Sequence, residues 1–148
     1  MLFRSAGSLI TLQSSPPFTV NTQTNTSNSF SAGSLRADVL RNPNLPADQR
    51  SLDHWFDTDA FRQPALYRFG NQAKDILRSG GLANFDVSLS RNFPVGEKKK
   101  FQFRGEFFNL FNHPSFGTPG QNLGGPGFGV VSTASPGRTI QLGARFAF

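Results

Sequence analysis

Cysteine is absent from this 148-residue sequence, which excludes disulfide bonds and thiolate metal sites. A run of about 18 apolar residues is absent as well, which excludes a transmembrane helix. Hydrophobic residues make up only 36% of the chain, and Phe supplies 17 of them while Leu, Ile and Val are sparse. The hydrophobic core that this composition supports is thin. A membrane β-barrel, whose signal per strand is much weaker, stays compatible with these shortages.

Clustered positive charge is also scarce, although the net charge is +6. Apart from Lys98, Lys99 and Lys100, the basic residues are scattered singly along the chain. A nucleic-acid interface requires a basic patch or stripe, so the charge balance gives that function little support.

Catalytic and metal-binding motifs are missing too. His54 and His113 are the only histidines and have no second ligand three or four residues away, so a zinc site is not expected. Asp53, Asp57 and Asp59 lack the glycine and the later glutamate of a calcium loop. The glycine-rich segment near the carboxyl end lacks the last glycine of a dinucleotide loop, and no spaced nucleophile motif occurs. We therefore expect no enzymatic activity, no cofactor and no metal.

Two strand patterns face each other across a short turn in the second half of the chain. From Ala83 to Phe93, apolar residues alternate with polar ones, which is the period of a half-buried strand. The alternation resumes from Phe101 to Phe111 after the polar turn Pro94 to Lys100, with Gly105 as a gap in the apolar row. The two segments predict a β-hairpin.

The same pattern returns from Arg138 to Phe148, so three segments of 11 residues each alternate. Strands of soluble domains cluster near about 5 to 6 residues, whereas a tilted strand that crosses a bilayer needs roughly 9 to 11. Residues 2–13 predict a fourth strand with a weaker pattern. The sequence thus predicts an all-β fold of antiparallel transmembrane strands. Because even a small barrel needs about eight strands, four strands predict an incomplete barrel.

The alternation assigns one face of these strands to lipid and the other to the lumen of a barrel. The predicted lipid-facing residues are Phe85, Val87, Leu89, Phe101, Phe103, Phe107, Ile140 and Leu142. The predicted lumen-facing residues, where ionised groups stay hydrated, are Asp86, Arg104, Glu106 and Arg145. Arg91 shares the lipid-facing side, but it lies two residues from the strand end, where its long side chain can reach the interface.

Two long segments connect the predicted strands on the side opposite the turn. Residues 14–82 show no sustained period and contain several prolines and a polar low-complexity run, so they predict a long loop. Residues 112–137, rich in Gly and Pro, predict a second one. A structureless connection of this size is out of place in a compact soluble domain. Short turns on one side and long loops on the other are typical of outer-membrane barrels.

Five segments carry a resemblance to a known family. They are LITLQSSPPFTV at Leu9 to Val20, WFDTDAF at Trp55 to Phe61, NFDVSLSRNF at Asn84 to Phe93, FQFRGEFFNLFNHPSFG at Phe101 to Gly117, and RTIQLGARFAF at Arg138 to Phe148. Together they resemble the carboxyl-terminal end of TonB-dependent outer-membrane receptors, in particular those with an amino-terminal carboxypeptidase-regulatory-like domain. The resemblance covers nearly the whole chain, and FFNLFNHPSFG is its most specific part.

The resemblance implies a barrel of about 22 strands filled by an amino-terminal plug, which imports nutrients with energy drawn through TonB. A signal peptide, a TonB-contacting segment and a plug are not visible in this chain, so we expect a fragment that does not transport alone. The implied localisation is the bacterial outer membrane. The implied partners are outer-membrane lipid, the missing plug and remaining strands, the barrel-assembly machinery and, through the missing amino-terminal part, TonB. Nucleic acid is not among them.

The final strand pattern ends on aromatic residues. Phe148, together with Phe146, resembles the terminal signal that the barrel-insertion machinery reads in outer-membrane proteins. The alternative is that Phe148 is an ordinary aromatic residue at the membrane interface.

His54, Trp55 and Phe56 lie in the first predicted long loop and are candidates for contact with an external ligand. The alternative is that Trp55 and Phe56 pack the loop onto its neighbours.

Two other function classes compete with the membrane barrel. A soluble β-sandwich or lectin-like binding domain would explain the alternation, but not the 11-residue strands or the long loop. An RNA-binding β module would explain Arg104-Gly105 followed by Phe108, but Glu106 stands where an aromatic residue is required and no helices alternate with the strands. We rank the soluble domain second and the RNA-binding module third.

Overall fold

The computed structural model of the protein describes residues 4–30, 35–97 and 99–148. Within these ranges the β-strands are β1 Arg4–Gln13, β2 Pro17–Phe18, β3 Asn21–Thr22, β4 Leu35–Arg36, β5 Asp38–Val39, β6 Phe61–Arg62, β7 Leu77–Arg78, β8 Leu82–Val95, β9 Lys99–Phe108, β10 Asn122–Leu123 and β11 Thr139–Ala147. Two 3₁₀ turns occupy Ala47–Gln49 and Thr58–Ala60. No helix in these ranges is long and apolar enough to cross a membrane.

The chain divides into two compact units. The sheet unit comprises the described residues of Met1–Gln13, Leu82–Ser115 and Ser135–Phe148. The loop unit comprises the described residues of Ser14–Gly81 and Phe116–Ala134.

The sheet unit is built on the four long strands, in the order β1-β8-β9-β11. All three pairings are antiparallel and have no register shift. They include Arg4↔Arg91 between β1 and β8, and Phe101↔Phe146 between β9 and β11. The predicted all-β fold of about four antiparallel strands is therefore confirmed. Residues 2–3 of the predicted first strand lie outside the described residues.

The hairpin turn is shorter than predicted. The ladder continues through Pro94↔Lys100 to Val95↔Lys99, so only residues 96–98 connect β8 and β9, instead of residues 94–100. Gly96 has φ of +75°, a left-handed conformation that glycine adopts without steric cost. The polar composition of this segment suggested a loop, but cross-strand pairing extends through it.

Strand β9 also ends earlier than predicted, at Phe108 instead of Phe111. Asn109 has φ of +53°, which a residue in an extended strand cannot adopt. The chain therefore leaves the ladder three residues before the apolar pattern stops.

The sheet does not close into a barrel. β1 and β11 are its two edges, and neither pairs on its outer side with any strand in the described ranges. Hydrocarbon does not tolerate the unpaired backbone groups of an open edge. The fold is thus an incomplete antiparallel barrel, as the sequence predicted.

The loop unit is folded, which corrects the prediction of a structureless loop over residues 14–82. Short two-residue pairings hold it together: β2 with β7, β3 with β4 and β10, and β5 with β6. Its apolar core is formed by Phe18, Val20, Ala37, Phe56, Ala60, Phe61 and Leu77. Most of the second predicted loop contributes to the same unit, since Phe116–Ala134 belongs to it.

Aromatic rings fill much of this core. The ring of Phe56 lies 5.9 Å from that of Phe18, 5.6 Å from that of Phe61 and 5.3 Å from that of Phe128, measured between centroids. The pairs of Phe56 with Phe61 and with Phe128 are edge to face, and such pairs add to the stabilisation that comes from burial alone. The core residues come from several separate segments and follow no period, which explains why the sequence pattern did not reveal the unit.

Candidate membrane-facing surface

The strand register places the predicted lipid-facing residues on one face of the sheet, because directly paired residues of antiparallel strands lie on the same side. Val87 pairs with Phe107, which pairs with Ile140 on its other side. Further along the strands, Leu89, Gly105 and Leu142 form the next row of the same face. All eight predicted residues share this apolar face.

The apolar face carries large side chains that are open to the surroundings. Leu142 is 69% exposed, and Ile140 and Leu89 are each about half exposed. A contiguous apolar surface of this kind marks contact with a membrane or another protein.

The opposite, polar face carries the four predicted lumen-facing residues. Ser88 pairs with Glu106, which pairs with Gln141. Arg104 forms a salt bridge with Glu106 two positions along the same strand. This face also carries apolar residues toward the end of the sheet away from the turn, where Leu9 is exposed.

An aromatic row crosses the apolar face at the turn end of the sheet. Phe93, Phe101 and Phe146 occupy directly paired positions on three neighbouring strands. Aromatic girdles of this kind mark the two membrane interfaces of a transmembrane barrel. The guanidinium of Arg91 lies 4.6 Å from the centroid of the Phe93 ring, which is a cation–π contact.

A family model described as an outer membrane beta barrel domain matches residues 5–141 of the chain. The chain belongs to this family. No curated protein and no solved structure matches it. This outer membrane beta barrel domain therefore belongs to a protein of the outer membrane, and its four-stranded sheet is part of the barrel wall.

A polar cluster at the end of β9 was not recognised from the sequence of the barrel domain. The carboxylate of Asp86 accepts hydrogen bonds from the backbone N–H of Asn109 and from the amide of Asn84, each at 2.9 Å. The side chain of Asn109 in turn accepts from the backbone N–H of His113 at 2.9 Å and donates to its carbonyl at 3.1 Å. Asp86 was predicted only as a lumen-facing charge. The missed signal is the pair of asparagines in the FFNLFN segment, since Asn tolerates the left-handed conformation.

Asn112 repeats this role three residues later. It has φ of +53°, and its side-chain oxygen accepts from the backbone N–H of Arg138 at 2.9 Å. The two asparagines thus bind the chain that leaves β9 to the segment that enters β11.

The candidate ligand residues of the loop unit have different environments. Phe56 is 1% exposed and belongs to the core, so its prediction as a ligand contact is wrong for the described conformation. Trp55 packs edge to face on Phe116 and donates from Nε1 to the carbonyl of Arg78 at 2.9 Å, so it serves the packing alternative. His54 is exposed, and its contact with a ligand stays a prediction.

Asp57, one of the three acids considered for a calcium site, forms an ion pair with Arg41. Both carboxylate oxygens accept from Arg41, at 2.7 and 3.0 Å. These hydrogen bonds lower the pKa of the Asp57 carboxyl below its ordinary value and raise the pKa of the Arg41 guanidinium. Asp57 also caps the second 3₁₀ turn by accepting from the backbone N–H of Asp59. Within the described ranges, no three His, Cys, Asp or Glu residues are grouped as a metal site would require.

The predicted assembly signal lies at the last residues of the chain. Phe146 ends the apolar row of β11, and Phe148 follows the strand and is 95% exposed. Their rings lie 6.3 Å apart. Recognition of Phe148 by an assembly machinery stays a prediction.

Proposed function

We propose that this chain is part of the barrel of a TonB-dependent receptor, which imports a nutrient across the outer membrane when the protein is complete. The observation that carries the proposal is the two-faced sheet with unpaired edges. One face presents aliphatic and aromatic side chains, and the other presents charges of both signs, as lipid and a water-filled or plugged lumen require. The resemblance of five segments to such receptors supplies the finer assignment.

Under this proposal, the unpaired edges of the sheet and its two different faces indicate the partners. Further strands pair with the outer edges of β1 and β11, lipid covers the apolar face, and a plug domain faces Arg104, Glu106 and Arg145. TonB acts through that plug and not through this chain, and the barrel-assembly machinery inserts the complete barrel. The chain itself performs no catalysis and holds no cofactor.

Strand direction supplies the proposed topology. Both long connections, from β1 to β8 and from β9 to β11, leave the sheet at the end opposite residues 96–98. Because outer-membrane barrels have long loops outside and short turns in the periplasm, the loop unit is extracellular and the turn is periplasmic.

The loop unit offers a better candidate for ligand contact than Phe56. Leu66, Tyr67 and Phe69 are all more than half exposed and follow one another in a short segment. The segment is fastened at Tyr67, whose backbone N–H donates to the carbonyl of Thr26 at 2.7 Å, and by a salt bridge from Arg68 to the buried Asp38. Rigid aromatic side chains fixed at the surface provide contact area at low entropic cost.

Single-cysteine labelling of the complete protein in intact cells tests the topology. The chain has no cysteine of its own, and Asn122 and Lys99 are both exposed, so they form a matched pair. A membrane-impermeant thiol reagent should label Asn122→Cys from outside and should reach Lys99→Cys only after the outer membrane is opened. Labelling of Lys99→Cys in intact cells would contradict the topology, and with it the role of the loop unit in ligand capture.

The coding sequence upstream of Met1 tests the receptor assignment separately. An in-frame plug domain and a signal peptide support a TonB-dependent receptor. In-frame barrel strands without a plug domain would show an outer-membrane protein that is not a TonB-dependent receptor. The soluble β-domain alternative predicts that the protein is recovered in the soluble fraction and not with the outer membrane.

A further inference from the structure

The apolar face contains a groove that Gly105 helps to line. Gly105 lies in the middle of β9, between Leu89 on one neighbouring strand and Leu142 on the other. It lines a groove of about 540 Å³. A Cβ atom built at Gly105 would come no closer than 3.5 Å to Phe107 and 3.6 Å to Leu142, so the glycine is not required by close packing. The groove walls include Arg4, Ala6, Leu89, Arg91, Phe103 and Leu142.

Charge on the apolar face is of one sign and occurs at one end. By the strand register, the charged residues on this face are Arg4, Arg91 and Lys99, all of them basic and all near the turn. The polar face of the described strands, by contrast, carries charges of both signs: the two acids Asp86 and Glu106, and the three bases Lys100, Arg104 and Arg145. The end of the groove that points toward the turn is therefore cationic, and the rest of the groove is apolar.

Arg4 and Arg91 are placed directly opposite each other on β1 and β8. Like charges in this position destabilise a sheet, and within the described residues neither arginine forms a salt bridge with a carboxylate. The Nε atom of Arg91 is buried and lacks a hydrogen-bond partner. The Arg91 guanidinium contacts the ring of Phe93, but a buried donor without a hydrogen-bond partner is costly. An anion between the two arginines would accept from that donor and would offset their mutual repulsion.

We propose that this groove is a binding site for one anionic phospholipid. Arg4 and Arg91 donate to the phosphate oxygens of its headgroup, and an acyl chain lies along the apolar floor at Gly105 between Leu89 and Leu142. The proposal rests on the lipid-facing orientation of the apolar face given above. Guanidinium groups match phosphate geometry with paired hydrogen bonds. The apolar floor beside the arginines gives a lipid a contact area that a free phosphate ion lacks.

Native mass spectrometry of the complete detergent-solubilised protein tests the proposal. Phosphatidylglycerol, phosphatidylcholine and diacylglycerol are titrated separately, and the bound lipids are counted. A basic residue at the membrane surface near anionic lipid contributes roughly fivefold in affinity, so the Arg4→Gln/Arg91→Gln double variant should bind phosphatidylglycerol about 25-fold more weakly. The matched control, Arg104→Gln/Arg145→Gln, removes two arginines from the opposite face and should bind as the unmodified protein does.

Two further variants separate the headgroup from the acyl chain. Arg91→Lys keeps the charge but cannot donate in a paired geometry, so it should lose less than Arg91→Gln. Gly105→Leu fills the groove without touching either arginine and should weaken both phosphatidylglycerol and diacylglycerol. Equal losses in the two double variants would overturn the proposal, and so would unchanged binding in Gly105→Leu.

Measurements on the unmodified protein also test the proposal, and they do so even if a variant does not fold. It should bind phosphatidylglycerol more tightly than diacylglycerol, and millimolar inorganic phosphate should not displace the lipid. Equal binding of the two lipids, or displacement by phosphate alone, would overturn the proposal. Quenching by brominated lipid of a fluorophore at Leu142→Cys, compared with Gln141→Cys, reports the orientation of the face. Quenching at Leu142→Cys together with equal losses in both double variants would contradict only the lipid site. Quenching at Gln141→Cys alone would contradict the proposed orientation of the face as well.

Discussion

Adjacent residues of β8 give the sharpest residue-scale test of the two faces. Val87 lies on the apolar face between Ser8 and Phe107, and Ser88 lies on the polar face beside Glu106. If the apolar face contacts lipid, Val87→Arg should cost about 2 to 4 kcal/mol near the bilayer midplane. Ser88→Arg should cost much less, because the new guanidinium stays hydrated and lies next to a carboxylate.

The comparison requires a urea refolding titration of the complete barrel in lipid vesicles. Val87→Leu is the control for altered packing at the same position. Equal tolerance of arginine at the two positions would contradict the assignment of the faces, since a shift of one residue exchanges lipid for lumen.

The Arg41–Asp57 pair makes the loop unit sensitive to acid. Hydrogen bonds from Arg41 lower the pKa of the folded Asp57 carboxyl below its ordinary value of 3.8. The stabilisation is therefore complete above that value and is lost as the pH falls through the lowered pKa. We expect the backbone amides of the second 3₁₀ turn to exchange faster in Asp57→Asn than in the unmodified protein at neutral pH.

Hydrogen exchange of the complete protein, followed on the peptide that contains Thr58–Ala60, measures this effect. Asn retains the capping oxygen, so the difference reports the ion pair. The difference should shrink as the pH falls below 3.8. A difference that persists unchanged in acid would show that the charge of Asp57 is not responsible.

At the scale of the element, the end of β9 depends on long-range hydrogen bonds as well as on the strand itself. Asp86 is 23 residues from Asn109, yet its carboxylate accepts from the Asn109 backbone N–H where the ladder stops. Leu110 continues the connection by donating to the carbonyl of Phe85 at 2.8 Å. The apolar pattern alone extends to Phe111 and therefore gives the wrong strand end.

Replacement of Asn109 should destabilise this junction. Asn109→Ala removes the side-chain hydrogen bonds and places a Cβ-bearing residue without a local partner at φ of +53°, and we expect a cost of about 2 to 4 kcal/mol. Asn109→Gly relieves only the backbone part and should cost about 1 kcal/mol less. Refolding titrations of both variants in the complete barrel provide the measurement. A larger cost for glycine than for alanine would argue against the left-handed conformation.

At the scale of the whole molecule, the sheet requires partners on three sides. Its two edges lack neighbours within the described ranges, and its apolar face carries exposed aliphatic and aromatic residues. An isolated sheet of this kind would aggregate in water through its edges and its apolar face. We therefore expect folding of the sheet unit to depend on assembly of the complete barrel.

The terminal aromatic residue offers a test of that assembly. Deletion of Phe148 from the complete protein should reduce the fraction that is inserted in the outer membrane, because the exposed terminal ring would no longer be available to the insertion machinery. Phe148→Tyr retains an aromatic ring and is the matched control. Outer-membrane fractionation of growing cells is the measurement, and normal insertion of the deletion variant would leave Phe148 as an ordinary interface residue.

The sequence by itself determined the barrel sheet, because a period of two along a strand fixes which side chains share a face wherever the pairing is regular. The positions of the four strands and the separation of Val87 from Ser88 follow from that local rule. Only the tertiary structure decided the position of the strand ends and the fold of the loop unit. Their determinants are contacts between distant residues, such as Asp86 with Asn109 and Phe18 with Phe56, which leave no period in the sequence.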